Sequence, residues 1–114
     1  MSVHIQFKGS TYALATTLRV AYVIQGQHNH MPYSEVFNKL GEMPIEQQID
    51  ILYAAFKCAN PEALVTQQEF RDYYLDNCSL KEMMEQLKAV FRGISGQTEK
   101  ATSENEDDGE DSGN

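Results

Sequence analysis

The stretch "PIEQQIDILYAAFKCANP", residues 44–61, decides the fold. Ile45, Ile49, Leu52 and Phe56 follow one another at steps of four, three and four. That is one continuous stripe on an α-helix. Pro44 suits the opening of such a helix. The pair Asn60-Pro61 stops it, because a residue before proline avoids the α region. A chain of 114 residues built around this helix suits one domain.

Two further helix starts lie downstream. "TQQE" at Thr66–Glu69 and "SLKE" at Ser79–Glu82 both have the form of a capping box. The first opens a helix to about Asn77 carrying Phe70, Tyr73 and Tyr74. The second opens "LKEMMEQLKAVFRGI", in which Leu80, Met83, Met84, Leu87, Val90, Phe91 and Ile94 fall within an arc of about 120°. Upstream, "PYSEVFNKL" predicts a short helix from about Pro32 to Leu40, with Val36, Phe37 and Leu40 inward and Gly41 closing it. "TTLRVAYVIQGQ" is ambiguous: Leu18, Val20, Tyr22 and Ile24 alternate as in a strand, yet the segment is apolar on more than one helical face. A helix over 16–26 is the better fit, capped by Thr16 or Thr17 and ended by a left-handed Gly26. At the start, Val3, Ile5 and Phe7 alternate with polar residues, "KGS" is a turn, and "TYALA" returns as a second strand. The expected fold is mainly α: about five helices with a short N-terminal β-hairpin.

The acidity of the chain is local. Residues 99–114 hold seven acids and one lysine, a net of −6 out of −8 for the whole, which leaves −2 for residues 1–98. Ala101 is their only apolar side chain. Such a segment has no burial to offset the entropy cost of ordering, about 1–2 kcal/mol per residue, and is expected to be disordered. The division is a helical domain over 1–98 and an acidic tail over 99–114. Charges on a flexible end argue against DNA mimicry, which needs carboxylates fixed on a folded surface. The body carries no basic stripe to neutralise phosphates, so nucleic acid is not an expected partner. No long apolar run or leader is evident, since Met1–Phe7 is short and alternating. Cytoplasmic location with Cys58 and Cys78 as reduced thiols is the expectation, and no membrane partner; a Cys58–Cys78 disulfide is the alternative.

His28 and His30 stand one residue apart in "QGQHNHMPYSEVF", residues 25–37. Zinc requires three or four ligands. Glu35 is the nearest acid, His4 lies on the first strand, and no C-x-x-C pair occurs. The pair reads better as a solvated link between helices, and no metal or other cofactor is expected. Glycine-rich phosphate loops and nucleophile elbows do not occur. Cys78 sits just before a helix start, which can lower a thiol pKa, but a catalytic cysteine needs a histidine partner. The protein is therefore expected not to be an enzyme.

The segments "GQHNHMPYSEVF" (26–37), "IDILYAAFKCANP" (49–61), "EFRDYYLDN" (69–77) and the methionine-bearing helix that follows resemble the tail assembly chaperones of long-tailed, siphovirus-type bacteriophages of Gram-positive hosts. The resemblance covers most of residues 15–94, and the acidic end is similar in style. It implies a protein of the host cytoplasm that binds the long, helix-rich tape measure protein and keeps it soluble until tail tube subunits polymerise around it. Such a protein is absent from the finished virion. The resemblance also implies a longer product made by programmed frameshifting that recruits the tail tube protein, homo-oligomers in rings or helical arrays, and a histidine link without metal.

A small helical protein can do this work by laying apolar helix faces against an aggregation-prone client. The candidate partner-binding residues are Met83, Met84, Phe91 and Ile94, with Tyr53 and Tyr74 as amphipathic anchors; the competing role of the methionine stripe is ordinary core. If Met84 and Phe91 serve the client, serine at both leaves helicity intact and weakens solubilisation. From another class, a small acidic phage protein could inhibit a host nucleic-acid enzyme by charge. Removal of residues 99–114 would abolish that activity and spare a chaperone. A metal-dependent hydrolase using His28 and His30 is a third possibility, tested by metal content.

Overall fold

A computed structural model describes residues 3–96. The expected tail over 99–114 lies outside them. The element order is β1 (Val3–Phe7), β2 (Ser10–Leu14), α1 (Leu18–Gln27), α2 (Tyr33–Asn38), a 3-10 turn (Leu40–Glu42), α3 (Ile45–Ala59), α4 (Gln67–Asn77) and α5 (Leu80–Ile94). The described residues are mainly helical, with five α-helices and an N-terminal two-stranded antiparallel hairpin.

The hairpin closes on two residues. Phe7 pairs with Ser10, and Lys8 and Gly9 both take positive φ, 51° and 84°. That is the geometry whose twist matches the paired strands, and glycine adopts it without a steric cost. The alternation read from the sequence sends Ile5 and Phe7 into the core.

Helix α3 is the hub, packed against β2, α1, α4 and α5. Its burial is broader than the single stripe. Ile49, Leu52 and Phe56 are buried as expected, but so are Ile51, Ala54 and Ala55, because neighbours approach from several sides. Ile45, in the first turn, projects past those neighbours and is 52 % exposed. The far end of α3 is tied to the hairpin. Asn60 Nδ2 donates to the Ala13 carbonyl at 2.9 Å, and the Ala15 N–H donates to the Ala55 carbonyl at 3.0 Å.

Both capping boxes form. Glu69 N–H donates to Thr66 Oγ1 at 3.1 Å while Thr66 N–H donates to Glu69 Oε1 at 2.9 Å. Ser79 and Glu82 repeat the exchange at 3.1 and 2.8 Å. Four orphan backbone donors are thereby satisfied.

The ambiguous third segment is a helix. Its buried residues are Val20, Ala21 and Ile24, a helical spacing, whereas Leu18 and Tyr22 of the strand-like pattern are 75 % and 70 % exposed. Three local expectations differ from the structure. Thr17 occupies the N-cap position of α1 without a side-chain cap bond. Gly26 lies inside α1, and the left-handed turn is made later by Asn29 and His30, with φ of 58° and 64°. Phe37 faces outward, 39 % exposed, because α2 ends at Asn38 and the chain tightens into a 3-10 turn around Gly41.

Candidate functional site

The six residues singled out from the sequence do not form one surface. Met83, Tyr74 and Phe91 are core, at 4 %, 2 % and 2 % exposure. Met84, Ile94 and Tyr53 are half-buried and pack against that core. The two tyrosine hydroxyls are engaged within the chain. Tyr53 donates to the Val65 carbonyl at 2.7 Å, and Tyr74 donates to Gln86 Oε1 at 2.6 Å. Burial pushes the Tyr53 phenol up, with a smaller contribution from Glu69; burial also pushes the Tyr74 phenol well above its ordinary range. The physical reason is the hub arrangement: α5 lays its stripe onto α3, β1 and α1, and little of it is left over. F91S would therefore remove a core side chain rather than test a surface.

The large apolar side chains left outside lie elsewhere, around two clefts and on a patch of α1, with Leu64 standing apart from all three. The first, of about 130 Å³, opens where α3 begins, α4 ends and α5 begins. Ile45, Leu75 and Leu80 form its rim at 52 %, 58 % and 63 % exposure, over a floor of Ile49, Tyr74 and Met83. The second, of about 260 Å³, runs between α2 and α5. Tyr33, Phe37 and Phe91 supply its rings, Lys88 and Arg92 its charges, and Ser34 and Ser95 hydroxyls at its edge. Phe37 and Phe91 lie 4.9 Å apart between ring centroids, and Tyr33 stacks on Phe91 at 6.4 Å. A third, shallower surface on α1 is lined by Thr17, Leu18, Arg19 and Tyr22, with the Arg19 guanidinium 5.8 Å from the Tyr22 ring centroid.

Sequence reasoning missed these rims for definable reasons. Leu80 belongs to the apolar arc of α5, but as its first residue it overhangs the helices beneath. Leu75 stands five residues after Phe70, about 140° around α4 from the buried face. An apolar side chain off the stripe of an otherwise polar helix is a signal that was available.

His28 is half-buried and His30 exposed in the link between α1 and α2. The link is held by backbone bonds: Met31 N–H donates to the His28 carbonyl at 3.1 Å, and His28 N–H to the Gln25 carbonyl at the same distance. Among the described residues, no three or more His, Cys, Asp or Glu side chains are grouped so as to hold a metal ion. Cys58 and Cys78 are free thiols, both half-buried. Burial raises the Cys78 pKa, and Glu82 raises it further, opposite in direction to the lowering that makes a thiol reactive. Burial likewise raises the Cys58 thiol, against a smaller opposing effect of Arg19.

Comparison with protein-family models, with curated proteins and with solved structures returns no match for this chain. No helix among the described residues is long and apolar enough to cross a membrane.

Proposed function

We propose that this protein is a tail assembly chaperone of a long-tailed bacteriophage. It works in the host cytoplasm by covering apolar helical segments of the tape measure protein until tail tube subunits replace it. The observation that carries this reading is the cleft at the start of α3, rimmed by Ile45, Leu75 and Leu80. Three large aliphatic side chains more than half exposed around one concavity are an apolar surface that no other described residue covers, and exposed apolar patches mark interaction sites. A helix docks on such a rim through side chains one turn apart. Binding at a small cleft is weak for one copy and becomes strong only when many copies line a long client. That suits a protein that must later give way to a polymer. The resemblance of residues 15–94 to phage tail chaperones supplies the client. Recruitment of the tail tube protein through a frameshifted longer form belongs to the same reading, as does self-association into a ring or helical array.

The test is co-production with the phage tape measure protein. The wild-type chain should raise the soluble fraction of the client several-fold, and the L75S/L80S double variant should lose that effect while keeping its helical circular dichroism. A client equally insoluble with and without the wild-type chain would end this proposal. Equal solubilisation by the double variant would move the contact away from this cleft.

A further inference from the structure

The cleft between α2 and α5 has a different chemistry from the aliphatic one. Lys88 and Arg92 lie one helical turn apart on α5, both exposed and both lining the cleft. Like charges at that spacing repel. Among the described residues no acidic side chain lines the cleft, and the ion pair found among them is Arg71–Asp50, between α3 and α4. Glu85 stands one turn before Lys88 but makes no ion pair with it. The walls are aromatic, and a low-dielectric wall concentrates the field of the two cations. The hydroxyls of Tyr33 and Ser95 meet at 3.4 Å beside them, and Ser34 adds a third. Two cations and three hydroxyls around an apolar floor suit carboxylates.

Helix α5 ends within reach of this site. Ser95, its C-cap, lines the cleft, and Gly96 takes φ of 84°, a left-handed residue that ends the helix by donating its N–H to the Gly93 carbonyl at 3.0 Å. Beyond it, "ENEDDGED" at 104–111 carries six acids in eight residues. The distance back along α5 from Ser95 to Lys88 is about 10 Å at 1.5 Å per residue. The seven residues between Gly96 and Glu104 span up to about 25 Å when extended. Tethering at this range gives the acidic run a millimolar effective concentration at the cleft.

We propose that the chain's own acidic segment, residues 104–111, docks against Lys88 and Arg92 in the α2–α5 cleft through reversible, salt-sensitive ion pairs. This inference stands apart from the tape measure reading, because it concerns the other cleft and needs no client.

The experiment uses the full chain in two charge variants, followed by amide NMR. One neutralises the tail (E104Q, E106Q, D107N, D108N, E110Q, D111N); the other reverses the cleft (K88E, R92E). At low ionic strength, shift differences between wild type and the tail-neutral chain should cluster at Ser34, Phe37, Lys88, Arg92 and Ser95. They should be unchanged by tenfold dilution and should fall at least threefold in 0.5 M NaCl. The cleft-reversed chain, with circular dichroism like that of the wild type, should show no response of these amides to tail neutralisation. Differences confined to residues adjoining the tail, or spread over Lys8 and Arg19 as strongly as over the cleft, would overturn the proposal. So would differences that vanish on dilution, which would mean a tail supplied by a second copy.

Discussion

The two ends of α3 handle apolar surface in opposite ways. At its C-terminal end Phe56 sits among rings from three other elements. Phe7 and Phe70 stack at 5.8 Å, Phe56 and Phe70 approach to 5.2 Å, and Tyr12 and Tyr73 close the edges at 5.2 Å from Phe56 and 4.8 Å from Phe7. At the N-terminal end Ile45, Leu75 and Leu80 meet across a cleft and stay more than half exposed. Aromatic side chains from the hairpin cap one end, and nothing equivalent among the described residues caps the other. The contrast separates side chains that hold the fold from side chains that the fold can spare.

Substitutions at the two ends should differ most in their effect on stability. F70A or F56A removes a fully buried ring and should cost about 3–5 kcal/mol, read as a lower urea midpoint. A loss below about 1 kcal/mol would mean the aromatic end is not the main core. Next in size is G93A. A Cβ on Gly93 would stand 2.5 Å from Thr16 Cβ, in the link between β2 and α1. Alanine gains about 0.5–1 kcal/mol over glycine in a helix interior, but forced overpacking costs about 1–3 kcal/mol, so the net should be destabilising. T16G in the same chain should restore much of the loss, and failure to do so would place the strain elsewhere.

Smaller effects belong to the helix starts. T66A should cost about 1 kcal/mol, and S79A about the same, in thermal or urea unfolding. The Glu69 carboxyl is held below its usual range, first by the hydrogen bond from the Thr66 backbone. Its folded pKa lies below its unfolded one, so this contribution is complete above the unfolded carboxylate value of about 4.3 and drains away as pH falls through the lower folded value. E69Q should flatten that part of the stability profile as pH falls below about 4.3; an unchanged slope would assign it to other carboxylates. The smallest effect is expected at the open end, where L75S/L80S should change stability by no more than about 0.5 kcal/mol. A larger loss would make those leucines part of the core and remove the cleft as a docking surface.

Much of the scaffold was legible from residue order because its signals are local. Thr66–Glu69 and Ser79–Glu82 announce helix starts within four residues, and Val3, Ile5 and Phe7 announce a strand within five. The accessible surface was harder to read, because exposure depends on which elements arrive as neighbours. Met83 and Phe91 have the same pattern whether α5 faces α3 or a partner. Phe37 looked inward until the early end of α2 turned it out. Leu18 and Tyr22 fitted a strand alternation that the helix then divided between core and solvent.

The hairpin has a bearing on synthesis at the ribosome. Strands β1 and β2 are made before the helices, but the rings that receive Phe7 come from Phe56, Phe70 and Tyr73, roughly fifty to sixty-six residues later. At about 5–20 residues per second that is a delay of roughly 3–13 s. A two-stranded hairpin alone is marginal in water. The hairpin therefore leaves the ribosome ahead of the helices that follow it but settles only once α4 has left the exit tunnel.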